Sequence, residues 1–398
     1  MSDTTGLDID PSVPGFFLRP DYYDVLARLR AEAPIHGIAP GMKLVSRYHD
    51  IREISRDPER FCSGRGVLVN DPLRSGGTIE GSILHMDPPH HNRWRRILNR
   101  EFAGRALQPM EATIRRLAVE LIEAIPFDEE VDIVDLLAAP LPVFVIAELL
   151  GVPVEQRTEF RRWSDATIAA TDGRETMSPE DQQSVGELVA FLDAHARAMA
   201  EHPGTDIVSL LVQAEIDGRR LTPGELMVFN MSLLVAGNET TRHLISGGMA
   251  ALADHPDARA QLAADPTLVP GAVEECLRWV TPIQQFARTA TRTTELSGAP
   301  IDEGDYLVML YASGNRDEAA FGPTASEFDA LRPVTVPNLA FGFGEHLCLG
   351  AALARMEGRI LFEELLERRP GYTVTGPGEW LPSSLVRGPH ALPMVFTR

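Results

Sequence analysis

The stretch from Thr222 to Asp254 constrains the fold more than any other part of the chain. It opens with T-P-G-E, in which Thr222 suits a helix cap, Pro223 the first turn and Glu225 the reciprocal bond of a capping box. The next stop signal is His255-Pro256, so the spacing predicts one helix of about 48 Å at 1.5 Å per residue. Such a helix spans a domain. Near its midpoint stands A-G-N-E-T-T, Ala236 to Thr241, a cluster of poor helix formers where Leu and Ala are expected. Gly237 lets another group approach the backbone, a Thr hydroxyl can replace a local backbone bond, and Glu239 beside Thr240 offers a proton donor and acceptor. A structural kink is the other reading.

A second constraint is F-G-F-G-E-H-L-C-L-G, Phe341 to Gly350. Gly342, Gly344 and Gly350 permit a tight loop with inward amides, a nest that suits an anion. Leu349, Leu353, Met356 and Ile360 predict a helix from Leu349 to about Arg369, placing Cys348 at its positive end, where a thiolate is favoured. Three uses stand open for such a cysteine: structural burial, nucleophilic attack, or axial ligation of a metal cofactor. Zinc is disfavoured, because Cys62 and Cys276 lie far off and no Cys-x-x-Cys pair exists. His346 is two residues away, better placed to brace the loop or meet a cofactor edge than to serve as a mobile base.

The net charge of −20 includes no Lys/Arg block, which argues against nucleic-acid binding; Lys43 is the one lysine among 37 basic residues. Three cysteines give no disulfide framework and suit a reducing cytoplasm. Met1 to Pro20 shows no signal peptide. The most apolar stretch, Ile133 to Val152, is interrupted by Asp135, Pro140, Pro142 and Glu148, so it reads as a core helix without a membrane anchor.

In chain order, Ile35 to Tyr48 carries A-P-G between apolar runs and predicts a β-hairpin, followed by a helix over His49 to Arg56. Phe61 to Met86 is Gly, Ser, Asn and Pro rich, either a loop over a pocket or a plain surface loop. In D-P-P-H-H-N-R-W-R-R, Asp87 is expected to cap a helix with Pro88 in its first position. His91 and Arg95 share one face of that helix; Arg93, Arg96 and Arg100 share roughly the opposite one, as a docking patch or a solvated face. Leu107 to Gly218 reads as helical, with Thr171 to Gln183 as a lid or a linker. Glu275 and Arg278 lie three apart on a helix. Arg288 falls on a strand-like stretch, Ile283 to Thr294, and Tyr372 to Arg398 suggests a small antiparallel sheet.

Taken together these segments resemble the cytochrome P-450 family, over nearly the whole chain from the His91 helix onward. Four motifs stand in the family's order: A-G-N-E-T-T, the Glu275/Arg278 E-x-x-R pair, F-D-A-L-R ending at Arg332, and the cysteine loop. The resemblance implies a mainly α fold with small β-sheets, a single domain over 1–398 with β-rich parts at about 35–60, 283–312 and 372–398, and haem between the long helix and the cysteine loop. It implies that Cys348 is the proximal ligand of heme b, with Ala236, Gly237, Phe341 and Gly350 against the cofactor and His91, Arg95, Arg288 and His346 on its propionates. Arg332 would close a structural triad with Glu275 and Arg278. Thr240 would hold distal hydrogen bonds and Glu239 would relay protons.

The implied activity is a monooxygenase of the soluble bacterial class, supplied with electrons by a ferredoxin and its reductase that dock on Arg93, Arg96 and Arg100. Oxidative coupling, desaturation, peroxide-driven oxidation and a haem sensor are the alternatives. The substrate walls are expected at Phe61–Met86, Thr171–Val189, Leu233–Gly237, Ile283–Phe286 and Ser383–Val386. Their apolar character suggests a terpenoid, steroid, fatty acyl or aromatic substrate, with Gln284 or Gln285 meeting one polar group.

Overall fold

A computed structural model describes residues 9–171, 177–216 and 218–398, so residues 172–176 of the expected lid lie outside the described residues. The long helix is Pro223–Ala253, and both bonds of its capping box form: Glu225 N donates to Thr222 Oγ1 at 3.2 Å and Thr222 N to Glu225 Oε2 at 2.8 Å. It runs unbroken through A-G-N-E-T-T. Packing, which supplies most helical stability in proteins, offsets the weak local propensity of that segment.

Helices Pro140–Leu149, Arg157–Thr171, Val269–Val280 and Ala351–Arg368 pack round this rod. A close approach falls at Gly248, where a Cβ would stand 2.8 Å from Phe362 Cζ and 3.2 Å from Cys276 Sγ. The missing side chain makes room there for Phe362 and Cys276 of two neighbouring helices. Leu244, Ile245, Met249, Val273, Leu361 and Leu365 are all buried in the core that results, each worth roughly 1.5–3 kcal/mol of burial. At its far side, ion pairs of Arg115 with Glu363 and Glu364, and of Arg359 with Glu111, tie Met110–Glu123 to the cysteine helix.

The main sheet has five strands in the order Ile35–Ala39, Met42–Val45, Tyr306–Leu310, Gln285–Ala290 and Phe61–Cys62. The first two form the expected hairpin. Tyr306–Leu310 is wholly buried, runs parallel to Met42–Val45, and sets Arg288 opposite Leu307. The helical reading of Leu107 to Gly218 needs correcting. Glu130–Asp132 is a strand, paired with Pro393–Thr397, and Glu215–Ile216 with Arg219–Arg220 makes a small hairpin. Three residues are too few to show period-2 patterning, and the partner of the first lies about 260 residues away.

Candidate active site

The cysteine loop is shaped by its glycines. Gly342 and Gly344 hold φ of 67° and 73°, and a Cβ on Gly344 would lie 1.8 Å from the carbonyl oxygen of Ser55. Cys348 N closes the loop on Phe341 O at 2.9 Å. The following helix starts later than expected, at Ala351, with Gly350 as its N-cap at an ordinary φ of −80°. Cys348 thus sits ahead of the helix rather than in its first turn.

Burial pushes the Cys348 thiol up, against the Gly350 amide, Arg95 and Arg355, which favour the thiolate. The dipole argument alone is therefore insufficient; a bound cation would be needed to invert the balance. Yet the cysteine, with Leu347 beside it, is exposed, so its sulfur is open to an incoming group.

On the central helix, Ala236 is exposed although it lies in mid-helix. One turn on, Thr240 Oγ1 donates to Ala236 O at 2.7 Å. Gly237 faces Ile146, whose Cδ1 lies 2.6 Å from where a Cβ would be, so its lack of a side chain has a packing reason. Glu239 is buried, with Oε1 3.6 Å from Arg242 Nη2 and 3.7 Å from His243 Nε2.

Three separate elements bring the four expected anion-binding residues together. The rings of His91 and His346 lie 4.1 Å apart. Arg95 donates to Leu347 O at 2.6 Å, and Arg288 to Ala287 O at 2.7 Å. Burial, then the neighbouring His346, lowers His91 to about 4; burial, then Arg288, lowers His346 to about 3. His91 is 1% exposed, and among the described residues neither of its ring nitrogens has a regular hydrogen bond, Asn92 lying close enough to favour its protonated form. Ser63 Oγ meets His346 Nε2 at 3.0 Å.

A buried imidazole without a regular hydrogen bond, beside two arginines, fits an anionic group, as haem propionates would be. Glu345 also brings a carboxylate oxygen within 4.8 Å of ligand atoms of both histidines. The arginine charges alongside disfavour a divalent cation there.

Below the cysteine loop, Glu275 takes both forks of Arg278 at 2.7 Å, and Arg332 Nε approaches it at 3.2 Å. Arg278 also donates to the carbonyls of Asn315, Ala325 and Glu327. Glu275 and Arg278 are buried and Arg332 closes the clamp from a partly exposed position.

The comparisons with known proteins agree with this geometry. A family model described as Cytochrome P450 matches residues 171–369. A steroid C26-monooxygenase of Mycobacterium tuberculosis is 35% identical, with 99% of this chain and 98% of the relative covered. The chain belongs to the cytochrome P450 family. This cytochrome P450 is also 35% identical to linalool 8-monooxygenase of Pseudomonas putida, over 96% of this chain and 97% of that one. A Mycobacterium marinum cytochrome P450 solved in complex with pseudoionone superposes with a TM-score of 0.87 at 34% identity, covering 98% of each chain. Among the described residues, no helix of this P450 is long and apolar enough to cross a membrane.

Several expectations need revision. Asp87 does not cap the His91 helix, which is His90–Asn99 with Pro89 at the cap. Its carboxylate instead accepts from Ser63 N at 2.7 Å and Gly64 N at 2.9 Å. Asp71 accepts from Val67 N, Leu68 N and Leu73 N and pairs with His85, so part of Phe61–Met86 is an organised loop. Gln284 is buried and committed: it accepts from Tyr22 and donates to Thr281 O. Gln285 donates to Ser384 O and Pro11 O, while its Oε1 is buried with no hydrogen-bond partner among the described residues.

Arg93, Arg96 and Arg100 are exposed on their helix. Arg52 and Arg56 stack on Phe343 of the cysteine loop at 4.1 and 4.7 Å. The sequence reading missed Arg242 and His243. Their signal was available, since they stand three and four residues beyond Glu239.

Proposed function

We propose that this P450 inserts one oxygen atom from dioxygen into an apolar small molecule, of terpenoid, steroid, fatty acyl or aromatic class, using electrons from a ferredoxin and its reductase. The observation that carries the reading is the convergence of the buried His91 with His346, Arg95 and Arg288, close to an exposed Cys348. Cys348 would be the axial ligand of heme b, and His91, Arg95, Arg288 and His346 would hold its propionates. When bound, a haem with a thiolate ligand supplies the activation of dioxygen by favouring O–O cleavage.

The rest falls to this chain's own groups. Amides of the glycine loop donate toward the sulfur and moderate its basicity. Ala236 leaves room on the distal face, and Leu233 and Phe286 give the substrate an apolar surface. Thr240, whose hydroxyl donates to Ala236 O, would turn that proton toward the site when needed, and Glu239 would take protons from solvent and pass them on. Exposed Arg93, Arg96 and Arg100 attract an acidic ferredoxin, steering its approach in a salt-dependent way. Support for terpenoid and steroid substrates comes from the names of the two relatives.

The test is isotopic. Under ¹⁸O₂, with a ferredoxin, its reductase and a panel of terpenoids and sterols, the product should carry one ¹⁸O atom. Product oxygen drawn from water, or turnover that peroxide supports but ferredoxin does not, would contradict the proposal.

A further inference from the structure

The quartet of His91, Arg95, Arg288 and His346 comes from three elements, and one residue outside it ties all three together. That residue is Asp87. Its backbone oxygen accepts from His91 N at 2.9 Å, in the opening turn of the helix that carries His91 and Arg95. Its carboxylate accepts from Ser63 N at 2.7 Å and Gly64 N at 2.9 Å. A Cβ on Gly64 would stand 2.9 Å from Asp87 Oδ2, so the glycine leaves the carboxylate its room.

Ser63 carries the connection onward. It is 1% exposed, and its Oγ meets His346 Nε2 at 3.0 Å, in the loop that delivers Cys348. The two residues before it, Phe61 and Cys62, pair with Ala290 and Thr289, next to Arg288 on the same strand. Asp87 therefore reaches the His91 helix directly, the cysteine loop through the Ser63 side chain, and the Arg288 strand through the Ser63 backbone.

The residue types suit these places. A carboxylate beside a site for anions would repel them, but both oxygens of Asp87 take backbone N–H groups, and these charge-assisted bonds answer its charge locally. A serine hydroxyl both donates and accepts, so Ser63 can hold the His346 ring in either neutral tautomer. We propose that Asp87 and Ser63 are positioning residues for the quartet: Asp87 sets the spacing of the His91 helix from the cysteine loop, and Ser63 sets the orientation of the His346 ring. The inference rests on the reading that the quartet holds the haem propionates. Neither residue touches the reacting atoms. They fix the approach of His91 and His346 before the anion arrives, so that it meets all its donors at once.

Transfer of haem from the loaded protein to excess apomyoglobin reads the quartet without any turnover. Ser63→Ala should speed release about fivefold, the usual worth of one hydrogen bond. Asp87→Ala should speed it more, and Asp87→Asn, which keeps one acceptor oxygen, should fall between Asp87→Ala and the unsubstituted protein. Because both residues act along one path, Ser63→Ala combined with Asp87→Ala should release haem no faster than Asp87→Ala alone. The propionate bending band in the resonance Raman spectrum should shift in each variant, and the carbon monoxide spectrum shows that the cysteine ligand survives. Asp71→Asn is the control. Asp71 organises the same loop through the amides of Val67, Leu68 and Leu73 but among the described residues bonds to none of the quartet, so release and band should stay in place. If neither His346→Ala nor Arg288→Gln speeds release, the propionate reading itself is overturned. If they do, but Ser63→Ala and Asp87→Ala do not, or Asp71→Asn speeds release as much as Asp87→Asn, the positioning role is overturned.

Discussion

The imidazoles of His91 and His346 lie 4.1 Å apart, inclined by 39°. Two stacked rings, buried beside arginines, cannot both carry charge without a counter-anion.

His91 therefore makes the haem-free protein acid-sensitive. Its folded value of about 4 lies below the ordinary 6.5, so between those values the unfolded chain binds a proton that the folded chain does not. Stability from this group is complete above pH 6.5 and is lost as the pH falls toward 4, with about 2 kcal/mol gone by about pH 5. Urea unfolding of the haem-free protein at pH 7.5 and 5.0 should show that loss, and His91→Gln should flatten it. An equal slope in the variant would remove His91 from the account.

Glu357 works with the opposite sign. It is buried on the cysteine helix, its Oε2 has no hydrogen-bond partner, and burial pushes it up to about 8. The folded chain holds this proton where the unfolded chain has lost it, so its stability falls as the pH rises from 4.5 toward 8. Glu357→Gln should raise the melting temperature at pH 8 and change it little at pH 5. A gain of the same size at both would mean that protonation is not its cause.

Removing one side of the Glu275 clamp leaves a buried arginine without its carboxylate. Glu275→Gln should cost about 3 kcal/mol or more, seen as a lower urea midpoint and poorer haem retention. Asp329 N, which donates to Glu275 Oε1 at 2.9 Å, would be weakened with it. Unchanged stability would make the clamp dispensable.

Much of this architecture could be read from local chemistry. The central helix was legible because its cap is written in four adjacent residues, Thr222 to Glu225, and the cysteine loop because Gly344 answers a backbone carbonyl that no other residue could approach. Asp87 was misread because the helix-cap rule is local, while the amides of Ser63 and Gly64 reach it only in the folded chain. Glu130–Asp132 was invisible for a related reason: its strand character comes from its partner.

Thr240→Ala separates local stability from chemistry. The lost bond to Ala236 O is a local one, so the melting temperature should shift only slightly. Product per electron should fall several-fold, with peroxide making up the difference. Unchanged coupling would leave Thr240 as a helix-bending residue alone.

The central claim is that Cys348 is the axial ligand, and the reduced protein under carbon monoxide tests it most directly. Thiolate ligation predicts the strongly red-shifted Soret band, and Cys348→His should replace it with a histidine-type spectrum. A histidine-type band in the unsubstituted protein, or no haem after purification from haem-replete cells, would contradict the account.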